Sequence, residues 1–121
     1  MPVLIVCDDS DDIRQLFRLV LEQAGARVVT SADGDQAVAA VTRERPDAVL
    51  LDIDLPTVSG LEAMELMRKA GFEGPIIAVP GAGDQHTAAL LLARGFTDVI
   101  HKPMPVSRLL DAVASHLPGW R

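Results

Sequence analysis

Five times along the chain a short, largely β-branched apolar run is followed by a stretch of helical periodicity, and this alternation restricts the fold more than any other feature. The runs occupy residues 2–7, 27–31, 48–51, 75–79 and 99–101. The third, Ala48-Val49-Leu50-Leu51, shows no polar alternation, as expected of a central parallel strand covered on both faces. After the first run, Ile13, Leu16, Phe17, Val20, Leu21 and Ala24 recur at the spacing of one helix face, and Gly25 is placed to end that helix. Asp33 can cap a second helix through about Arg45, with Ala37, Val38 and Val41 inward, before Pro46 stops it. Ser59 and Glu62 have capping-box spacing at the start of a third helix carrying Leu61, Met64 and Met67. Asp84 is the expected cap of a fourth, running to Arg94 and closed by Gly95, and a fifth presents Val106, Leu109, Leu110, Val113 and Leu117 on one face. Five βα units joined by right-handed crossovers predict an α/β doubly wound sandwich with a parallel sheet. At 121 residues, the whole of 1–121 reads as a single domain.

Composition narrows the function. With 49% hydrophobic and 23% charged residues, the chain can bury a real core. Its apolar stretches, such as residues 88–93, fall far short of the roughly 20 residues that span a bilayer. The amino terminus has no basic stretch leading into an apolar segment, so a secretory signal is not expected and a cytoplasmic location is. The net charge of −6, with nine arginines scattered singly and only Lys69 and Lys102 as lysines, argues against nucleic acid as a partner of this domain alone. Cys7, alone, cannot form an internal disulfide and reads as a buried, inert thiol.

The chemistry gathers where strands end. Asp8 and Asp9 follow the first run, Asp52 and Asp54 follow the third, and Lys102-Pro103 follows the fifth. In an open parallel sheet, the ligand crevice lies outside the carboxyl ends of the strands, so residues remote in sequence converge there. Clustered carboxylates repel one another unless a cation neutralises them, and oxygen donors of this kind suit a hard divalent ion such as magnesium. A lysine beside them can hold an anion that the metal also touches, which makes a site for a phosphoryl group. Asp11 and Asp12 read differently, as acidic residues favoured by a helix amino terminus.

Three segments carry a family resemblance over nearly the whole chain. Leu4-Ile5-Val6-Cys7-Asp8-Asp9-Ser10, the stretch from Leu50 through Asp52-Ile53-Asp54 to Gly60, and His101-Lys102-Pro103 resemble the signature segments of bacterial two-component response-regulator receiver domains. The resemblance implies a flavodoxin-like (βα)5 fold with strand order 2-1-3-4-5. It implies Asp52 as phosphoacceptor and Mg2+ held by the Asp8, Asp9 and Asp52 carboxylates with the backbone carbonyl of Asp54. Lys102 would bind the phosphoryl oxygens, and the bond before Pro103 would be cis. The implied donor is a histidine kinase or histidine phosphotransfer protein, and the implied output is docking of a downstream protein or a second copy on the face of the fourth helix, fifth strand and fifth helix. There the run Ala88-Ala89-Leu90-Leu91-Leu92-Ala93 is more apolar than one buried stripe requires. Such a domain is a phosphoacceptor rather than a turnover enzyme, with at most self-catalysed phosphotransfer and autodephosphorylation. No output module is recognisable after the last helix, so output is expected through another protein or a longer chain.

Two positions depart from the family. Where it carries a Ser or Thr hydroxyl after the fourth strand, this chain has Pro80, and where it carries a switch aromatic, Val99 stands. Phe96 is near but falls before the strand and reads as a packing residue. These changes leave phosphotransfer in place and bear on its coupling to a conformational change. Two rival readings are a degenerate receiver that docks partners without phosphorylation, and an Asp-nucleophile phosphatase, since Asp52-Ile53-Asp54 also resembles the haloacid-dehalogenase motif. In that family the pair follows the first core strand of a longer chain; here it follows the third.

Overall fold

The computed structural model describes residues 1–120; Arg121, at the end of the tail, lies outside them. Among the described residues, β1 (Val3–Cys7), β2 (Arg27–Ser31), β3 (Ala48–Leu51), β4 (Ile76–Ala78) and β5 (Asp98–Val99) alternate with α1 (Asp11–Gln23), α2 (Gly34–Glu44), α3 (Gly60–Lys69), α4 (Ala88–Arg94) and α5 (Val106–Ser115). All strand pairs are parallel, in the order β2-β1-β3-β4-β5. This is the flavodoxin-like doubly wound sheet. The strands at its centre are those whose side chains are apolar on both faces: Leu4 through Cys7 and Ala48 through Leu51 are all buried.

Alternate residues of these strands feed two cores. Leu4, Val6, Leu50 and Ile77 pack with Phe17 and Leu21 of α1 and with Leu109 and Val113 of α5. Ile5, Val49, Leu51 and Ile76 pack on the other face with Ala37 and Val41 of α2, Met64 and Met67 of α3, and Leu91 of α4. The chain leaves β1 outward to β2, then returns across β1 to β3. The register pairs Cys7 with Leu51, so the residues that follow, Asp8 and Asp52, emerge from neighbouring strands at one level. That level is the switch point of the sheet, where helices change face and a crevice opens.

Several boundaries differ from the sequence expectation. The cap of α4 is Thr87, whose Oγ1 accepts from Leu90 N at 3.1 Å, not Asp84. Asp84 is occupied locally: its Oδ1 accepts from His86 N at 2.7 Å and lies 2.8 Å from His86 Nδ1. An aspartate that bonds two residues ahead makes a turn in place of a helix start. The fifth strand is Asp98–Val99 rather than 99–101, because Asp98 already pairs with Ile77; beyond it, single bonds from Ile100 N to Ala78 O and from Lys102 N to Pro80 O, each 2.8 Å, carry the chain to the site. The fourth strand is likewise trimmed from 75–79 to Ile76–Ala78, its flanks held by Val49 N to Pro75 O and Val79 N to Leu51 O. Leu16, expected inward, is 45% exposed, since the contact stripe of α1 runs through Phe17 and Leu21. No helix among the described residues is long and apolar enough to cross a membrane.

Candidate functional site

The ends of β1, β3 and β5 deliver the charged groups of the crevice: Asp8 and Asp9, Asp52, and Lys102. Asp8 is held by its backbone N–H to Ser31 O (3.1 Å), and its Oδ1 accepts from Ser10 N (2.9 Å) at the start of α1. Asp52 N donates to Cys7 O (2.9 Å), and Asp52 Oδ1 accepts from Ile53 N (2.8 Å). Lys102 reaches across β3 and β4 from the far side, with Nζ 2.8 Å from Asp8 Oδ2 and 3.3 Å from Asp52 Oδ2. A cis peptide bond joins it to Pro103. Oxygens of Asp8, Asp9 and Asp52 lie within 4.8 Å of one another. The structure thus brings together Asp8, Asp9, Asp52 and Lys102. Asp11 and Asp12 stay exposed on the first turn of α1, and Asp11 pairs with Arg14 instead.

Burial decides the electrostatics. Asp8 is 2% exposed and Asp52 4%, whereas Asp9 is open to solvent. Removal from water, and next the negative charge of Asp8, push the Asp52 carboxyl above its ordinary range, against the opposing pull of Lys102. For Lys102, burial works to lower the pKa, but the hydrogen bond to Asp8 and the charges of Asp52 and Asp8 outweigh it, and the net shift is upward. Lys102 is therefore a fixed cation. Three carboxylates against one ammonium still leave an excess of negative charge in a partly dry crevice. Hard oxygen donors at that spacing, one of them solvent-facing, fit a small divalent cation that keeps several of its waters. Cys7, just beneath, is pushed up to about 12, chiefly by burial, and its Sγ contacts Asp33 O at 3.3 Å; it remains a thiol and no nucleophile.

The segment after Asp52 is shaped by backbone packing. Gly60 opens α3 so close to Asp52 that an added Cβ would lie 1.9 Å from the Asp52 carbonyl oxygen. Leu55 N and Gly60 N both donate to Ile53 O, at 3.1 and 2.8 Å, folding the intervening residues, Asp54 among them, into a tight arch. The Asp54 side chain is exposed and outside the carboxylate cluster. Pro80 is buried at the end of β4, its carbonyl holding Lys102 N. Val99 is half-buried against the α2–α3–α4 core, and Phe96 is a fully packed member of that core.

Sequence reasoning missed Arg14 and underrated Asp33. Arg14 Nη1 donates to Asp8 O at 2.6 Å, bracing a site residue from α1, although its sequence position resembles any surface arginine of a helix. Asp33 does cap α2, but its carboxylate also grips the segment that follows β3. The available signal was Gly34: a glycine in the first turn of a helix marks a close approach of another backbone.

Comparison with known proteins identifies the family and the fold. Residues 3–114 match the family described as response regulator receiver domain. The CAI-1 autoinducer sensor kinase/phosphatase CqsS of Vibrio cholerae is 37% identical over 115 residues, 93% of this chain and 17% of that protein. Protein-glutamate methylesterase/protein-glutamine glutaminase 3 of Hahella chejuensis is 40% identical over 107 residues, 85% of this chain and 30% of that protein. The chain therefore spans less than a third of either relative. Among solved structures, the chemotaxis protein CheY4 of Vibrio cholerae superposes with a TM-score of 0.86 at 28% identity, covering 97% of this chain and 99% of that one.

Proposed function

The chain belongs to the response regulator receiver domain family, and from that premise we propose that it takes a phosphoryl group onto Asp52, in the presence of Mg2+, from a phosphohistidine on a histidine kinase or phosphotransfer protein. The observation that carries this reading is the position of Lys102 Nζ, 2.8 Å from Asp8 and 3.3 Å from Asp52, beside three converging carboxylates. In the transfer, an Asp52 carboxylate oxygen forms a bond to phosphorus as the bond from phosphorus to the imidazole nitrogen breaks, and the electron pair of that bond leaves with the imidazole. The product is an acyl phosphate. The obstacle is repulsion between a carboxylate and an anionic phosphoryl group. Asp8, Asp9 and Asp52, with the Asp54 carbonyl, would hold the metal, which when bound would supply charge neutralisation at the phosphoryl oxygens.

Lys102 would then exchange its contact with Asp52 for the phosphoryl oxygens while keeping Asp8. A compact ammonium on a flexible stem can make that shift, whereas a planar guanidinium would demand one geometry. Ile53 N holds one Asp52 oxygen and so orients the carboxylate for attack. Docking on the face of α4, β5 and α5 is supported by Leu90, Leu92 and Val106, which are 42%, 47% and 45% exposed while Leu91 between the first two is buried. A single exposed leucine would be ordinary; exposed apolar side chains on both α4 and α5, the helices on either side of the β5 edge, are what a partner on this face would cover.

Intact-protein mass after treatment with acetyl phosphate and Mg2+ tests the proposal. One phosphoryl adduct is expected, dependent on the metal and absent in Asp52→Asn. Equal labelling of the Asn variant would remove Asp52 from the role, and no labelling of the wild type would favour a docking module that works without phosphorylation.

A further inference from the structure

Asp33 ties three parts of the crevice together. Its Oδ1 accepts from Gly34 N at 2.6 Å, which caps α2, but also from Val58 N at 3.1 Å and, at a longer 3.4 Å, from Thr57 N. Both of the latter lie in the segment joining β3 to α3. The contact is close: a Cβ on Gly34 would fall 2.2 Å from Val58 O. On its other side, Asp33 O is 3.3 Å from Cys7 Sγ and Ser31 O accepts from Asp8 N at 3.1 Å, so the same turn is fastened to the end of β1 that bears Asp8 and Asp9. The arch after Asp52 thus has two anchors. Its base is closed on Ile53 O by Leu55 N and Gly60 N, and its far side is held by Asp33. Asp54 lies at the near end of the arch, between Ile53 and Leu55, and leads into the stretch that Asp33 holds at residues 57 and 58.

We propose that Asp33 is a positioning residue for the divalent cation: by holding residues 57 and 58 it fixes the arch that presents the Asp54 carbonyl, and so sets the metal affinity of the site. This rests on the reading above that the Asp54 carbonyl is a ligand. With the far anchor gone, the arch hinges on Ile53, and binding must first select the competent arrangement from several, which lowers apparent affinity by the fraction populated. Groups that orient metal ligands commonly change affinity by about 10- to 100-fold when removed. The hydrogen bonds from Val58, Thr57 and Gly34 hold the Asp33 carboxyl below its ordinary range, against the opposing effect of burial, so it is an anion at neutral pH.

Asp33→Ser separates this role from capping. Serine caps a helix about as well as aspartate, but its hydroxyl is too short to keep the Gly34 bond and reach Val58 as well. Asp33→Asn controls for charge, since it keeps the acceptor oxygen without the negative charge. Mg2+ titration by calorimetry is expected to show affinity weakened about 10-fold or more in Asp33→Ser and near the wild-type value in Asp33→Asn. Thermal unfolding should stay cooperative in both. Wild-type affinity in a folded Asp33→Ser protein would overturn the inference and leave the phosphoacceptor reading intact. An equal loss in Asp33→Asn would reduce Asp33 to a charge effect, and a wild-type protein without measurable Mg2+ affinity would overturn the site reading and this inference together.

Discussion

Asp52 sits in the crevice at a cost to the free protein, because burial and the neighbouring Asp8 raise its pKa above the unfolded value. The native state then holds a proton more readily than the unfolded chain. Its contribution is fully present below the ordinary aspartate pKa and is lost as pH rises through the raised value, so at neutral pH the ionised carboxylate destabilises the fold. Asp52→Asn should therefore raise the unfolding midpoint at pH 7 in the absence of metal, by roughly 2–5 °C for a domain of this size. The gain should shrink as pH falls toward the ordinary aspartate value. Scanning calorimetry in EDTA at several pH values checks this; an Asn variant less stable than wild type at neutral pH would mean that its contact with Lys102 outweighs burial. Asp8, Asp9, Asp52 and Lys102 were legible in the sequence because each follows an apolar run. Arg14 and the second role of Asp33 were not, since hydrogen bonds between a side chain and a distant backbone leave no periodicity to read.

At the scale of elements, α3 and β3 meet through a position that tolerates no side chain. Gly60→Ala would drive a methyl group to within 1.9 Å of the Asp52 carbonyl oxygen, which is backbone and cannot swing aside. The expected loss is about 3 kcal/mol or more of stability, read by denaturant titration, together with weakened phosphorylation as Asp52 shifts. A loss under about 0.5 kcal/mol, the range of ordinary surface substitutions, would show that α3 can slide. Between β4 and β5 the expectation concerns what is missing. A ligand shifts a two-state equilibrium only by its difference in affinity for the two states. Pro80 has no hydroxyl to meet a phosphoryl group, and Val99 has no ring to rotate inward. A beryllofluoride mimic should then perturb backbone chemical shifts mainly in residues 81–87 and the start of α4; large cooperative changes at Val99 and α5 would show another relay in their place. That stretch was also where sequence reading lost precision. α4 has a seven-residue length and β5 only two, so a cap or a strand end rests on one or two hydrogen bonds rather than on a repeated pattern.

For the whole molecule, the architecture was legible because five apolar runs and five helical stripes leave parallel crossovers as the consistent solution. The strand order came from family resemblance, and only the structure supplies the register, with Cys7 opposite Leu51, that puts Asp8 beside Asp52. That register sets Asp8 and Asp52 side by side in the carboxylate cluster, and the pairing of β5 with β4 brings Lys102 to them from the far side. The most direct test uses the identity of the bond formed. An aspartyl phosphate is an acyl phosphate, and borohydride reduces it to the corresponding alcohol, leaving homoserine in place of the modified aspartate. Peptide mapping after acetyl phosphate, Mg2+ and borohydride should place homoserine at position 52 alone, and at no position when the metal is chelated. Homoserine at Asp8, Asp9 or Asp54, or none at all in a protein that binds Mg2+, would contradict the account.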